Sequence, residues 1–216
     1  DGPRGRIYQI KQLMEGAGAG ASTRLHLDRC LSCRACETTC PSGVEYGRLL
    51  DIGRDMLERQ VPRPALSRLQ RVLLAGLLTG PWFAPLLRLG RLLRPILPPR
   101  LRATVPPLAP RPTAEIRAET RRRHSRQVLL LAGCVQPALS PNIQQATVRV
   151  LDALDIDARA VSEAGCCGAI HFHLGDVDAA RRAAQRNIDA WWPAIESGAE
   201  AIVMNASGCG VTVKEY

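Results

Sequence analysis

Four cysteines fall within eleven residues as Cys30-x2-Cys33-x2-Cys36-x3-Cys40, and Pro41 follows the last of them. Thiolates are ligands for iron. Two-residue gaps let one loop wrap three corners of an iron-sulfur cube, and the proline helps to turn the chain away afterwards. Zinc is the competing occupant, but structural zinc sites usually pair two separated CxxC knuckles. The spacing therefore points to a [4Fe-4S] site of the bacterial ferredoxin type. Where two such clusters occur, the fourth cysteine of a run ligates the other cube. Cys40 would then serve a second cube, and the cube on Cys30, Cys33 and Cys36 would take its fourth ligand from a partner motif upstream of Asp1.

The remaining cysteines are Cys134, the pair Cys166 and Cys167 flanked by Gly165 and Gly168, and Cys209 in a Ser-Gly-Cys-Gly run. Each follows a predicted strand. In an open parallel sheet the strand C-terminal ends gather along one edge, where ligands bind, so the four thiols are expected to converge on one cofactor-binding site. A further thiolate-bound metal or cluster would suit it. Taken singly, a free cysteine is also a common small buried hydrophobe. His171 and His173 lie close enough in sequence to ligate or hydrogen-bond a bound group. Trp191 and Trp192 read as core or interface packing, and His26, His124 and the arginines of 121–126 as facing solvent or finishing the linker.

Three regions position these residues. Residues 1–58 hold the first cysteine run between amphipathic stretches at 7–14 and 44–57, a short helix-cluster-helix module. Residues 59–126 are rich in Pro, Arg and Leu, with helices limited by the prolines to three or four turns. Around 86–97 leucines alternate with Arg88, Arg91 and Arg94. That pattern suits either a linker packing its apolar face on its own protein or a basic amphipathic surface for a partner or an anionic membrane. Residues 127–216 alternate strands at 127–132, 158–161 and 201–205 with helices at 142–154 and 176–195, the signature of parallel βαβ units. The expected fold class is α+β and multidomain: a ferredoxin-like [4Fe-4S] module, a basic helical linker and an open parallel-sheet α/β domain.

The 216 residues carry a net charge of +9, and the segment 59–126 holds 15 basic residues against 2 acids. Basic segments bind nucleic acid, lipid and acidic subunits alike, so charge does not choose among them. The leucine-rich uncharged stretch 72–87 is broken by Pro81 and Pro85 and falls short of a membrane span. Eight cysteines without an apolar leader fit metal ligands in a reducing compartment better than disulfides. The start at Asp1 and the uncapped final helix suggest that both ends are cut.

These residues together resemble the iron-sulfur subunits of glycolate oxidase (glycolate dehydrogenase), part of a wider group with the heterodisulfide reductase subunits. The likeness rests on Asp1 to Tyr8, Cys30 to Pro41, Cys134, Gly165 to Gly168 and Asn205 to Tyr216, and is weakest over 59–126. It implies two [4Fe-4S] clusters in the full-length protein and two cysteine-rich CCG domains, of which 127–216 would be most of the first. Ala206 occupies the place of the first cysteine of the fuller CCG pattern. The resemblance also implies an electron relay from flavin-containing dehydrogenase subunits, which oxidise glycolate to glyoxylate, to a quinone or membrane acceptor. No nucleotide-binding glycine fingerprint assigns substrate oxidation to this chain. A cytoplasmic location, peripheral on the inner face of the membrane, and no nucleic-acid partner are expected. Alternatives are a subunit of a lactate-utilisation, glycerol-3-phosphate dehydrogenase or heterodisulfide reductase-type complex, or a cluster-based DNA-binding sensor.

Overall fold

The computed structural model describes residues 2–107 and 124–216; Asp1 and the later part of the expected linker, including Arg121, Arg122 and Arg123, lie outside the described residues. The chain divides into two compact units, Asp1–Arg71 and Val72–Tyr216. It is α+β: mostly helical, with one small parallel sheet among the described residues.

The first unit is helical. Its elements are α1 (Pro3–Met14), α2 (Ala21–Asp28), the single turn α3 (Ala35–Thr38) and α4 (Tyr46–Gln60), and the following helix α5 (Ala65–Thr79) begins within it. Pro3 sits in the first turn of α1, where its missing N–H costs no hydrogen bond. Tyr46, Leu50 and Leu57 share one face of α4 and bury themselves against Ile10, Leu13 and Leu27. Gly53 allows α1 to approach, since a Cβ there would come within 2.7 Å of the Ile10 side chain.

An ion network ties the far ends of this unit together. Arg63 grips Asp28 through both terminal nitrogens at 2.7 Å and reaches Glu58 with Nε at 2.6 Å. Arg24 meets Glu58 at 2.5 Å and Arg71 meets Asp28 at 3.2 Å. Burial pushes the Asp28 and Glu58 carboxyls up, but the hydrogen-bonded and neighbouring arginines outweigh it and hold both below their ordinary values.

The second unit carries α6 (Phe83–Leu93), a 3-10 turn at Arg94–Ile96 and α7 (Pro99–Thr104) ahead of the α/β part. There the order is β1 (Arg126–Leu131), α8 (Gln136–Leu139), α9 (Pro141–Ala153), β2 (Ile156–Arg159), α10 (Ala169–His173), α11 (Val177–Glu196), β3 (Ile202–Met204) and α12 (Ser207–Val213). The strands are parallel in the order β2-β1-β3, with Val128 opposite Ala158 and Leu130 opposite Val203. As the central strand, β1 buries Val128 to Leu131 without alternation, as a strand covered on both faces should. Ser140 and Pro141 open α9, and Asp176 caps α11 by accepting the Ala179 N–H at 3.0 Å. One face of α11, with Ala180, Ala183, Asn187, Trp191 and Ala194, is turned inward.

Several expectations need correction. The second strand lies two residues earlier than expected, because Asp155 in the left-handed region (φ 58°) turns α9 straight into β2. Of the tryptophan pair, expected as core or interface, Trp191 is core, while Trp192 is 54% exposed and bonds Glu196, which leaves its interface reading open. Of the two readings of His124, solvent exposure gives way: its ring holds Asp152 at 2.7 Å at the end of the linker. Of the α6 leucines, Leu86, Leu89, Leu92 and Leu93 are exposed and Leu87 is half-buried.

The lowered carboxyls give the first unit a stability present above their unfolded values, ordinarily 3.8 and 4.5, and lost as pH falls through the lowered folded values. Arg63→Met should therefore destabilise this unit at pH 7. The deficit should shrink as pH falls below about 4, measured by urea unfolding across pH; a deficit independent of pH would contradict the network's role.

Candidate functional site

The first cysteine run folds as a tight loop between α2 and α4. Ser32 and Arg34, the residues after Leu31 and Cys33, both take left-handed backbone conformations (φ 52° and 55°). Non-glycine residues held there are strained and persist where surroundings over-determine them. The surroundings are supplied by α4. Arg54 donates to the carbonyls of Leu27 and Cys30 at 3.0 and 2.9 Å and to Ser32 Oγ at 3.0 Å. At the start of α4 the Gly47 N–H donates to the Glu37 carboxylate, placing negative charge at a helix N-terminus. Gly47 also leaves room for the Arg34 guanidinium, which a Cβ would meet at 2.6 Å.

The thiols in this loop differ in their surroundings. Cys30 Sγ accepts from the Ser32 N–H at 3.5 Å and from the buried Tyr46 hydroxyl at 3.6 Å. Burial pushes the Cys36 thiol up, and the nearby Cys30, Glu37 and Cys33 add to the rise. The backbone N–H groups of Val44, Ser42 and Gly43 pull the Cys40 thiol down. That ring of N–H groups favours a thiolate at Cys40, as an anion-binding nest does.

In the second unit the remaining four cysteines come together after the three strand ends. Cys134 follows β1, Cys166 and Cys167 follow β2, and Cys209 lies in the first turn of α12 after β3. Their thiols lie close enough to perturb one another in series: Cys134 with Cys166, Cys166 with Cys167, and Cys167 with Cys209. Cys166, reinforced by burial, pushes Cys134 up. Cys166 and Cys209, again with burial, push Cys167 up. Cys134 and Cys167 pull Cys166 down, and the Gly168 N–H reaches its sulfur at 3.4 Å. Cys209 is lowered by Cys167.

Neither loop presents a closed metal cage. Among the described residues no three His, Cys, Asp or Glu side chains are gathered in metal-holding geometry. The all-thiol donor sets, the thiolate-favouring N–H groups and the concentration of sulfur nonetheless fit iron-sulfur chemistry. His171 joins the second set as a neighbour: it contacts Thr79 Oγ1 at 3.2 Å and lies near enough to favour the Cys166 thiolate. His173 is exposed and meets Phe172 edge-on at 5.9 Å.

Sequence reasoning missed the residue that holds the double-cysteine turn. Asn187, fully buried on α11, accepts the Gly165 N–H at 2.8 Å and donates to the Cys166 carbonyl and the Tyr216 hydroxyl, each at 3.1 Å. Tyr216 in turn donates to the Cys167 carbonyl at 2.8 Å. Gly168, at φ 85°, completes the turn, since a Cβ there would meet the Ala180 carbonyl oxygen at 2.8 Å. A polar residue on the inward face of an alanine-lined helix was the available signal.

The comparisons agree with this arrangement. Residues 128–214, the span with the sheet and the four converging thiols, match the CCG family, described as a Cysteine-rich domain. The whole chain is similar to two curated proteins. It is 53% identical to the glycolate oxidase iron-sulfur subunit of Escherichia coli, over all of this chain and 52% of that protein. It is 30% identical to the probable glycolate oxidase iron-sulfur subunit of Bacillus subtilis, over 99% of this chain and 53% of that protein. The chain thus spans about half the length of the curated relatives it matches. No solved structure matches.

Asn187→Ala should leave the Gly165 N–H and the Cys166 carbonyl buried without partners, at about 1–3 kcal/mol each. Denaturant unfolding should show that loss, and Cys166 and Cys167 should alkylate faster than in the wild type. Unchanged alkylation in a destabilised variant would mean that Asn187 supports the fold but not the turn.

Proposed function

We propose that this chain is part of an iron-sulfur electron-transfer subunit of a glycolate oxidase complex. The observation that carries the reading is the joint presence of two cysteine sets, each held in place by its own unit, in a chain 53% identical throughout to a protein of that name. Cys30, Cys33 and Cys36 would hold one [4Fe-4S] cluster, and Cys40 would serve a second, with the missing ligands supplied from elsewhere in the full-length protein. Such clusters supply one-electron transfer. The chain's own residues fix the ligands: Arg54 and Glu37 brace the first loop, and Asn187 and Tyr216 brace the second.

Substrate oxidation belongs, on this reading, to a flavin-containing subunit, and the electrons pass on to a quinone or other acceptor. Cys134, Cys166, Cys167 and Cys209 form either a further thiolate-bound metal or cluster site or a redox contact along the route. Eight free cysteines support a location in the reducing cytoplasm. The family-wide alternatives share the first motif, but both named relatives favour glycolate.

The full-length protein, purified without oxygen, should hold about eight ferredoxin-type irons, four per cube, and give low-temperature EPR signals after dithionite reduction. Cys33→Ser should remove most of one cube. Stoichiometric zinc with no reducible signal contradicts the proposal.

A further inference from the structure

Tyr46 opens α4 as a core residue, 4% exposed and clustered with Ile10, Leu13, Leu27, Leu50 and Leu57. A phenylalanine would fill that space as well. The hydroxyl is what needs a reason, because a buried hydroxyl without a partner costs free energy. Its partner is a cysteine sulfur: the Tyr46 hydroxyl donates to Cys30 Sγ at 3.6 Å, across 16 positions of the chain. The Ser32 N–H donates to the same sulfur at 3.5 Å. Both are ordinary lengths for sulfur, which is larger than oxygen. A cysteine that binds iron does so as a thiolate and has no proton of its own to give, so in a loaded site only the phenol can be the donor of this pair.

Donor and acceptor are both anchored on α4. The Tyr46 ring is fixed by the core, and the N–H of the next residue, Gly47, bonds to the Glu37 carboxylate. Two turns further along the helix, Arg54 holds the Leu27 and Cys30 carbonyls at 3.0 and 2.9 Å. The contact is therefore set by one rigid element and does not depend on the loop alone. The Arg6 side chain of α1 also lies close enough to Tyr46 to polarise its hydroxyl, which strengthens the donor.

We propose that Tyr46 raises the reduction potential of the cluster held by Cys30, Cys33 and Cys36 by donating a hydrogen bond to Cys30 Sγ. The inference rests on the reading of that loop as a [4Fe-4S] site and deepens it. Reduction brings in one electron, from the flavin side of the complex on that reading, and breaks no bond. The added negative charge spreads onto the ligand sulfurs, so a donor to one of them stabilises the reduced form more than the oxidised one, and the more so where water is excluded. The proton stays on Tyr46 throughout. Tyr46 is thus a positioning residue that acts through Cys30. Its influence belongs to one cube, since Cys40, which would serve the other, takes its donors from the backbone of residues 42–44.

The test is an EPR-monitored redox titration of the full-length protein, purified without oxygen, as wild type, Tyr46→Phe and Tyr8→Phe. Tyr8, on α1, is 59% exposed and serves as the control. Tyr46→Phe should keep its iron and its fold by circular dichroism, lower the midpoint potential of one cluster and leave the other unchanged. Tyr8→Phe should shift neither. Resonance Raman adds a second readout: the iron-sulfur stretching bands of the wild type should move on transfer to D2O, and Tyr46→Phe should shrink that move. Wild-type potentials in an iron-replete Tyr46→Phe, an equal shift of both clusters, or the same shift in Tyr8→Phe overturns the inference and leaves the electron-transfer reading standing. Loss of the cluster from a folded Tyr46→Phe also overturns it, because the hydroxyl would then hold the loop and not set the potential. A wild type with no reducible cluster overturns both.

Discussion

Parallel strand pairing is the constraint on which the second unit depends. Strands that run the same way, joined by right-handed crossovers, deliver their C-terminal ends to one edge of the sheet. Here the order β2-β1-β3 places β1 in the middle, with its neighbours reached on opposite sides. That reversal opens a crevice beyond the strand ends. Cysteines spread over 76 positions, from Cys134 to Cys209, become neighbours because of it. Buried Leu129 and Leu131, packed with Trp191 of α11 and Ile202 of β3, keep the edge from shifting.

Both thiol sets are braced from a distance by a polar side chain on a long helix. Arg54 on α4 gathers the start of the first loop, and Asn187 on α11 gathers the double-cysteine turn. The physical logic is the same in each. A loop that must aim sulfur atoms at one another cannot satisfy its own backbone through regular pairing, so its N–H and carbonyl groups need partners from outside. A buried side chain that supplies them orders the loop, and removing it leaves several groups unsatisfied at once. The left-handed Ser32 and Arg34 and the glycine at 168 are the strained positions that such bracing has to hold.

Much of this was legible from the residues alone. The Cys30 to Cys40 spacing marked out the first cysteine loop, and the buried run at 127–132 with the alternation of strand and helix after it located the sheet, because period and spacing are local properties. What escaped was tertiary. The short helices α2, α8 and α10 are too brief to show a periodic pattern, and Asn187 carries no signature until α11 is laid against the Cys166 turn. The direction in which α6 faces also could not be read: its two faces are plain in the sequence, but which one rests on the body follows from Arg91 finding two free carbonyls at the end of α8. Identity to the longer relatives then supplied the functional reading that geometry alone leaves general.

The central claim is that Cys134, Cys166, Cys167 and Cys209 form one thiol site. Disulfide mapping of the metal-free protein after mild diamide oxidation tests it directly. Peptide mass spectrometry should find bridges confined to these four cysteines, chiefly Cys134 to Cys166 and Cys167 to Cys209, pairs whose thiols perturb one another. Independent modification of all four with no bridge among them, or bridges chiefly to the cysteines of 30–40, would contradict the account.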